Sequence, residues 1–238
     1  MTTTSAIGAT GTATVPDSAR TRHPQAGPPL LLPVLSFAVL TIAYVVLNSS
    51  TPQPTATGAD VLAYTQGNGT TIRIGAFLLL ASAVPLAVLA GVLYRRLRAL
   101  GITAPGSALT LVGGVMASLA LTLSALFAWT GERLADDAAP ALARAVADLS
   151  FLTGGVTYAV AFGLLVAGVA VTGLRAGLLP KPLARVGCVL AAAGLLATLS
   201  LLADPFGFAL PVVRFGGLIW LVWVAAVLPR TRTRHSSA

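Results

Sequence analysis

The side chains that most often carry chemistry are scarce in this chain, which has one cysteine, Cys188, and two histidines, His23 and His235, among 238 residues. A single cysteine excludes an intramolecular disulfide and a Cys-x-x-Cys site. Both histidines lie in polar terminal segments, so the apolar part of the chain offers no imidazole to ligate a metal or act as a general base. Cys188 stands between Gly187 and Val189 in an apolar stretch, where a thiol behaves as a small hydrophobe. The sequence therefore predicts no catalytic residue, no cofactor and no metal site, in a protein that is not an enzyme.

What remains is a set of charges at the margins of apolar runs. Arg73, Asp148, Asp204 and Arg214 are read as lying at outer helix ends, two acids and two bases at one depth, and they form the candidate polar cluster. Asp148 stands near a helix start, where the helix dipole favours a carboxylate. Two uses of such a cluster are open: ion pairs that clasp helix ends together, or an outward-facing polar pocket for a ligand. With no acidic, basic or histidine side chain read into the middle third of any apolar run, a proton path through a buried carboxylate is not expected.

The elements that must position these groups follow from composition. The chain is 56% hydrophobic and 9% charged, with a mean hydropathy of +0.87. A soluble domain carries about 25% charged residues, so this chain reads as an integral membrane protein. Within a domain spanning 29–230, apolar runs cover about 30–48, 72–94, 106–129, 149–174, 183–203 and 206–228. Each is long enough to cross a hydrocarbon core of roughly 30 Å as a helix. The predicted fold class is all-α, a polytopic transmembrane bundle of six helices. A β-barrel would need short alternating strands. Residues 1–28 are rich in Thr, Ser, Ala, Gly and Pro and read as a disordered cytoplasmic tail, not a cleaved signal, because no cationic segment directly precedes a short apolar core. Residues 231–238 read as a basic tail.

Orientation comes from the placement of arginine and lysine. Arg20, Arg22, Arg95, Arg96, Arg98, Arg175, Lys181, Arg185, Arg230, Arg232 and Arg234 fall on one side of the six runs. The other side holds Arg73, Arg133, Arg144 and Arg214, with Asp60, Glu132, Asp136, Asp137, Asp148 and Asp204. The positive-inside rule then puts both termini in the cytoplasm of a plasma-membrane protein. The net charge of +8 is explained by this topology and by anionic lipid, and nucleic acid is not an expected partner, because the basic residues are split among short segments.

Small residues four apart mark packing seams: Gly155, Ala159, Gly163 and Ala167 in the fourth run, Gly114, Ser118 and Thr122 in the third, Gly187 and Ala191 in the fifth. Pro85 predicts a kink in the second run. A short interfacial helix is expected around Val61 to Tyr64, and the fourth helix is expected to begin outside the bilayer near Pro140, with Arg144 and Asp148 one turn apart. Leu97-Arg98-Ala99 with Gly101 is echoed by Leu174-Arg175-Ala176 with Gly177. Asn48 and Asn68 stand in the glycosylation acceptor pattern, which carries no meaning in a bacterial chain.

The runs RIGAFLLLASAVPLAVLAGVLYRRLRALG, LARAVADLSFLTGGVTYAVAFGLLVAGVAV and LPVVRFGGLIWLVWVAAVLPRTR resemble the uncharacterised integral membrane proteins of high-GC bacteria grouped under domains of unknown function. The resemblance implies a six-helix bundle in the plasma membrane and no activity. The leading functional expectation is a protein that binds a lipid, a small apolar molecule or a partner helix, with the bilayer, another membrane protein or a second copy as partners. The alternative is a small-solute transporter or permease component that uses the outward pocket near Arg73, Asp148, Asp204 and Arg214.

Overall fold

The computed structural model describes residues 29–103, 105–134 and 137–229, and for Asp204 and Pro205 the backbone alone. The segments 1–28 and 231–238, read above as tails, lie outside the described residues, as does Asp136. Apolar stretches shielded from water can satisfy their own backbone groups only by coiling. Among the described residues every regular element is helical and there is no strand.

Five helices are long and apolar enough to cross a membrane. Two are unbroken: α3, Gly69–Ala99, and α4, Pro105–Glu132. The next, Pro140–Arg175, joins α5 (Pro140–Phe151) to α6 (Tyr158–Arg175) through a π-helical turn, Leu152–Thr157. Then comes Lys181–Leu201, made of α7 (Lys181–Leu196) and a 3-10 turn. The last, Phe206–Val227, passes through α8 (Ala209–Pro211) and a second π-helical turn, Val212–Gly216, into α9 (Gly217–Val227). The first apolar run forms α1, Leu31–Leu47, which at 17 residues is shorter than these five. A ten-residue helix, α2 (Gly58–Gly67), lies between α1 and α3, opened by a capping box in which Thr57 and Asp60 satisfy each other's backbone N–H groups. α3 stays helical through Pro85.

Successive helices pack side by side, α1 on α3, α3 on α4, α4 on α6 and α6 on α7, and α9 closes the bundle against both α7 and α1. One end of the bundle, here the loop end, carries the connection from Asn48 to Thr57, α2 and the connection around Arg133. The other, the tight end, carries two short turns. In both of these a glycine with positive φ, Gly101 at 84° and Gly177 at 64°, ends the helix. The next N–H, from Ile102 or Leu178, returns to the carbonyl of Leu97 or Gly173 at 3.0 and 2.9 Å. The repeated Leu-Arg-Ala and glycine of the sequence is thus the same helix-ending device used twice.

Small residues set how closely the helices approach. A methyl group at Gly163 would come within 3.1 Å of the Gly194 Cα and 3.2 Å of the Ala191 carbonyl oxygen, so α6 and α7 cross almost backbone to backbone. The α3–α4 seam uses Gly114 against Ala90, and Ser118 donates to the Ala83 carbonyl at 2.7 Å. A third seam joins α4 to α6: a methyl at Gly113 would lie 2.7 Å from the Ala161 carbonyl oxygen, and one at Gly168 would lie 2.6 Å from the Thr110 nitrogen. Phe37, Leu86, Phe162 and Leu165, all fully buried, fill the centre between these seams. The outward faces are apolar too, with Leu32 72% exposed, Phe77 66%, Val189 68% and Ile219 68%. Water would penalise such a surface, and hydrocarbon matches it.

Candidate functional site

The loop end does not pack as the centre does. α5 is the first part of the long helix that begins at Pro140, and the connection 48–57 is held against it. Between them lies a cavity of about 410 Å³. Its walls come from the last turn of α1 (Tyr44, Val45), from α3 (Ala76, Leu79), from α4 (Ser124, Phe127, Ala128), from α5 (Ala147, Phe151) and from the final span (Leu210, Phe215). Thr51, Pro52, Gln53 and Pro54 roof it. The walls are largely apolar, and the charged side chains that reach it are Glu132, Arg144, Asp148 and Arg214.

Arg144 fastens the roof. Its Nε donates to Asp148 Oδ2 at 3.0 Å, and its two terminal nitrogens donate to the carbonyls of Ala56 and Pro54. The pairing one helical turn apart orients the guanidinium, and its planar fork then spans two carbonyls of the connection. Gly58 is needed beneath it, because a methyl group there would lie 2.6 Å from the Pro140 carbonyl oxygen where α2 rests on α5.

The four residues singled out in the sequence are distributed unequally. Asp148 and Arg214 both reach the cavity. Arg73 lines a neighbouring recess instead, with α2 and the start of α3, and its Nε pairs with Glu132 Oε1 at 3.2 Å. Glu132 faces both spaces and stands between them. The side chain of Asp204 lies outside the described residues. Sequence spacing within a helix exposes the Arg144–Asp148 pair, whereas the Arg73–Glu132 pair joins the start of α3 to the end of α4 and has no such signal.

Arg214 is deeper than a helix-end residue. It stands eight positions past Phe206, the start of its span, about 12 Å along the axis. Its guanidinium donates to the carbonyl of Gly154 and lies 5.1 Å from the centre of the Tyr158 ring. Each partner of this contact belongs to, or adjoins, a π-helical turn: Gly154 in Leu152–Thr157, Arg214 in Val212–Gly216. A π-turn widens the helix by one residue and disturbs the i to i−4 ladder, and such turns recur at functional sites. Both turns contain or adjoin a Gly-Gly pair, Gly154-Gly155 and Gly216-Gly217, which is the one trace they leave in the sequence.

Tyr158 does not line the cavity, and its hydroxyl is buried without a hydrogen-bond partner among the described residues, as is that of Thr41. Asn48 and Asn68 each donate to a carbonyl one turn earlier, of Tyr44 at 3.0 Å and of Tyr64 at 2.9 Å, and so finish α1 and α2. Among the described residues no three His, Cys, Asp or Glu side chains come together to hold a metal ion. No protein-family model, curated protein or solved structure matches the chain.

Proposed function

We propose that the chain is a six-span plasma-membrane protein with both termini cytoplasmic, that it is not an enzyme, and that it binds a small apolar or amphiphilic molecule in the loop-end cavity. α1 is about 25 Å long, close to the thickness of a hydrocarbon core, and it packs in series with the five longer helices. The tight end holds Arg95, Arg96, Arg98, Arg175, Lys181 and Arg185, so the positive-inside rule makes it the cytoplasmic face.

The observation that carries the binding role is a cavity that stops. Along α3 its deepest wall residue is Leu79, ten positions from the helix start, and along α4 it is Ser124, eight positions from the helix end. Below that level Phe37, Leu86, Phe162 and Leu165 are packed with no exposure. A volume of about 410 Å³ with apolar walls and a few polar groups has the dimensions of a small-molecule site.

A photoactivatable decanol, carrying a diazirine, tests this on the full chain in phosphatidylcholine nanodiscs. Saturable labelling of peptides containing Phe127 and Phe151 supports the site. Labelling confined to lipid-facing residues such as Phe77 and Val189 contradicts it. The transporter reading has one supporting observation, the pair of π-turns at the cavity floor. It requires the packed half below them to open.

A further inference from the structure

The charges in the cavity are not balanced in the same way. Arg144 is paired with Asp148, at 2.9 Å for the closest oxygen, and Glu132 with Arg73. Arg214 has no acidic partner among the described residues; its contacts are a carbonyl and an aromatic ring. A guanidinium carries five N–H donors, and an arginine set this far into a span is costly unless something compensates its charge. Beside it the cavity is bounded by Tyr44 and Val45 of α1 on one side and by Leu210 and Phe215 of the final span on the other. Phe215, in that wall, is 40% exposed. Thr51, Pro52, Gln53 and Pro54 bound the cavity elsewhere, on the connection that Arg144 holds.

We propose that Arg214 is the headgroup contact for an anionic single-chain amphiphile, which enters from the bilayer between α1 and the final span and leaves its hydrocarbon chain against Phe215 and Leu210. The inference rests on the cavity being a binding site and adds the charge and shape of the ligand. Carboxylate and phosphate heads share the chemistry, since both present anionic oxygens to a planar fork of N–H donors. Both kinds of head can come from the membrane itself or from its breakdown.

The test compares three diazirine probes of equal chain length, decanol, decanoate and decyl phosphate, on the full chain in phosphatidylcholine nanodiscs at alkaline pH. On the unaltered chain the expected result is half-saturation of cavity labelling at a concentration about tenfold or more lower for the anionic probes than for decanol, the usual scale of a charge-assisted hydrogen bond. The relative strength of decanoate and decyl phosphate identifies the source of the head. Arg214→Gln should remove the preference, and Arg214→Lys should retain most of it. Because the comparison of probes needs no variant, a poorly folding Arg214→Gln leaves the test intact. Equal cavity labelling by all three probes overturns the headgroup assignment and leaves the binding site standing. Absence of cavity labelling by any probe overturns both.

Discussion

The tight half and the loop half of this bundle are built from the same apolar residues and differ in what sits between the helices. In the tight half, glycines let backbones touch: Gly113 and Gly168 lie against the backbone of the helix opposite, and nearer mid-span Gly163 faces Gly194. In the loop half the helices are held apart by side chains, a roof and two π-turns, and a cavity remains. In lipid no hydrophobic force draws helices together, so van der Waals contact at small residues must do so. Close glycine contacts continue in the loop half, Gly154 against Ser124 and Gly58 against Pro140, but around the cavity they do not bring all the facing helices together, and Arg214 is accommodated there.

That contrast can be broken most forcefully at a glycine. In Gly168→Val the new branched side chain would meet the backbone of Gly106 and Thr110. We expect a loss of about 3 kcal/mol or more, seen as absence of a folded monodisperse species in size-exclusion chromatography. A smaller effect is expected at the roof: Arg144→Gln removes the ion pair and at least one carbonyl contact. Its cost should be about 1 to 2 kcal/mol, with hydrogen exchange accelerating in residues 51–57 and not in α6. Ser118→Ala deletes the bond to the Ala83 carbonyl, and thermal unfolding in detergent should report about 0.6 kcal/mol. Least of all, Arg73→Gln breaks a pair in which the arginine is 59% exposed, and unfolding should move by less than about 0.5 kcal/mol. A roof variant as damaging as the glycine variant would erase the distinction between the two halves.

The helical class and the presence of several membrane-length helices are legible because hydrocarbon leaves the backbone only helices or a closed barrel, and long unalternating apolar runs fit the first alone. Helix ends are less so. α3 runs on to Ala99 because Arg95 and Arg98 are exposed at the helix end, where long basic side chains can reach water, and the buried Arg96 donates to the Leu228 carbonyl; the stop is Gly101, not the first charge. Of the seams, the stripe Gly114, Ser118 and Thr122 lies four residues apart and is visible. The α4–α6 contact uses Gly106, Thr110 and Gly113, which share one helix face at spacings of four and then three residues and so escape a search for small residues four apart. At the site, Asp148 and Arg144 share a helix face and could be paired by counting. Glu132 opposite Arg73 and the Gly154 carbonyl beneath Arg214 depend on how separate helices meet, which a single sequence does not encode in any local pattern, and the π-turns leave only their Gly-Gly pairs.

The separation of an accessible half from a sealed one is tested most directly by thiol reactivity. In a Cys188→Ser background, single cysteines are placed by Ala147→Cys in the cavity wall and by Leu86→Cys in the packed centre, and each is exposed to N-ethylmaleimide in nanodiscs. The cavity thiol should be modified at least tenfold faster than the central one, and decanoate should slow it. Equal rates at the two positions, or a reactive thiol at position 86 beside an inert one at 147, would show that the loop end holds no dead-ended pocket.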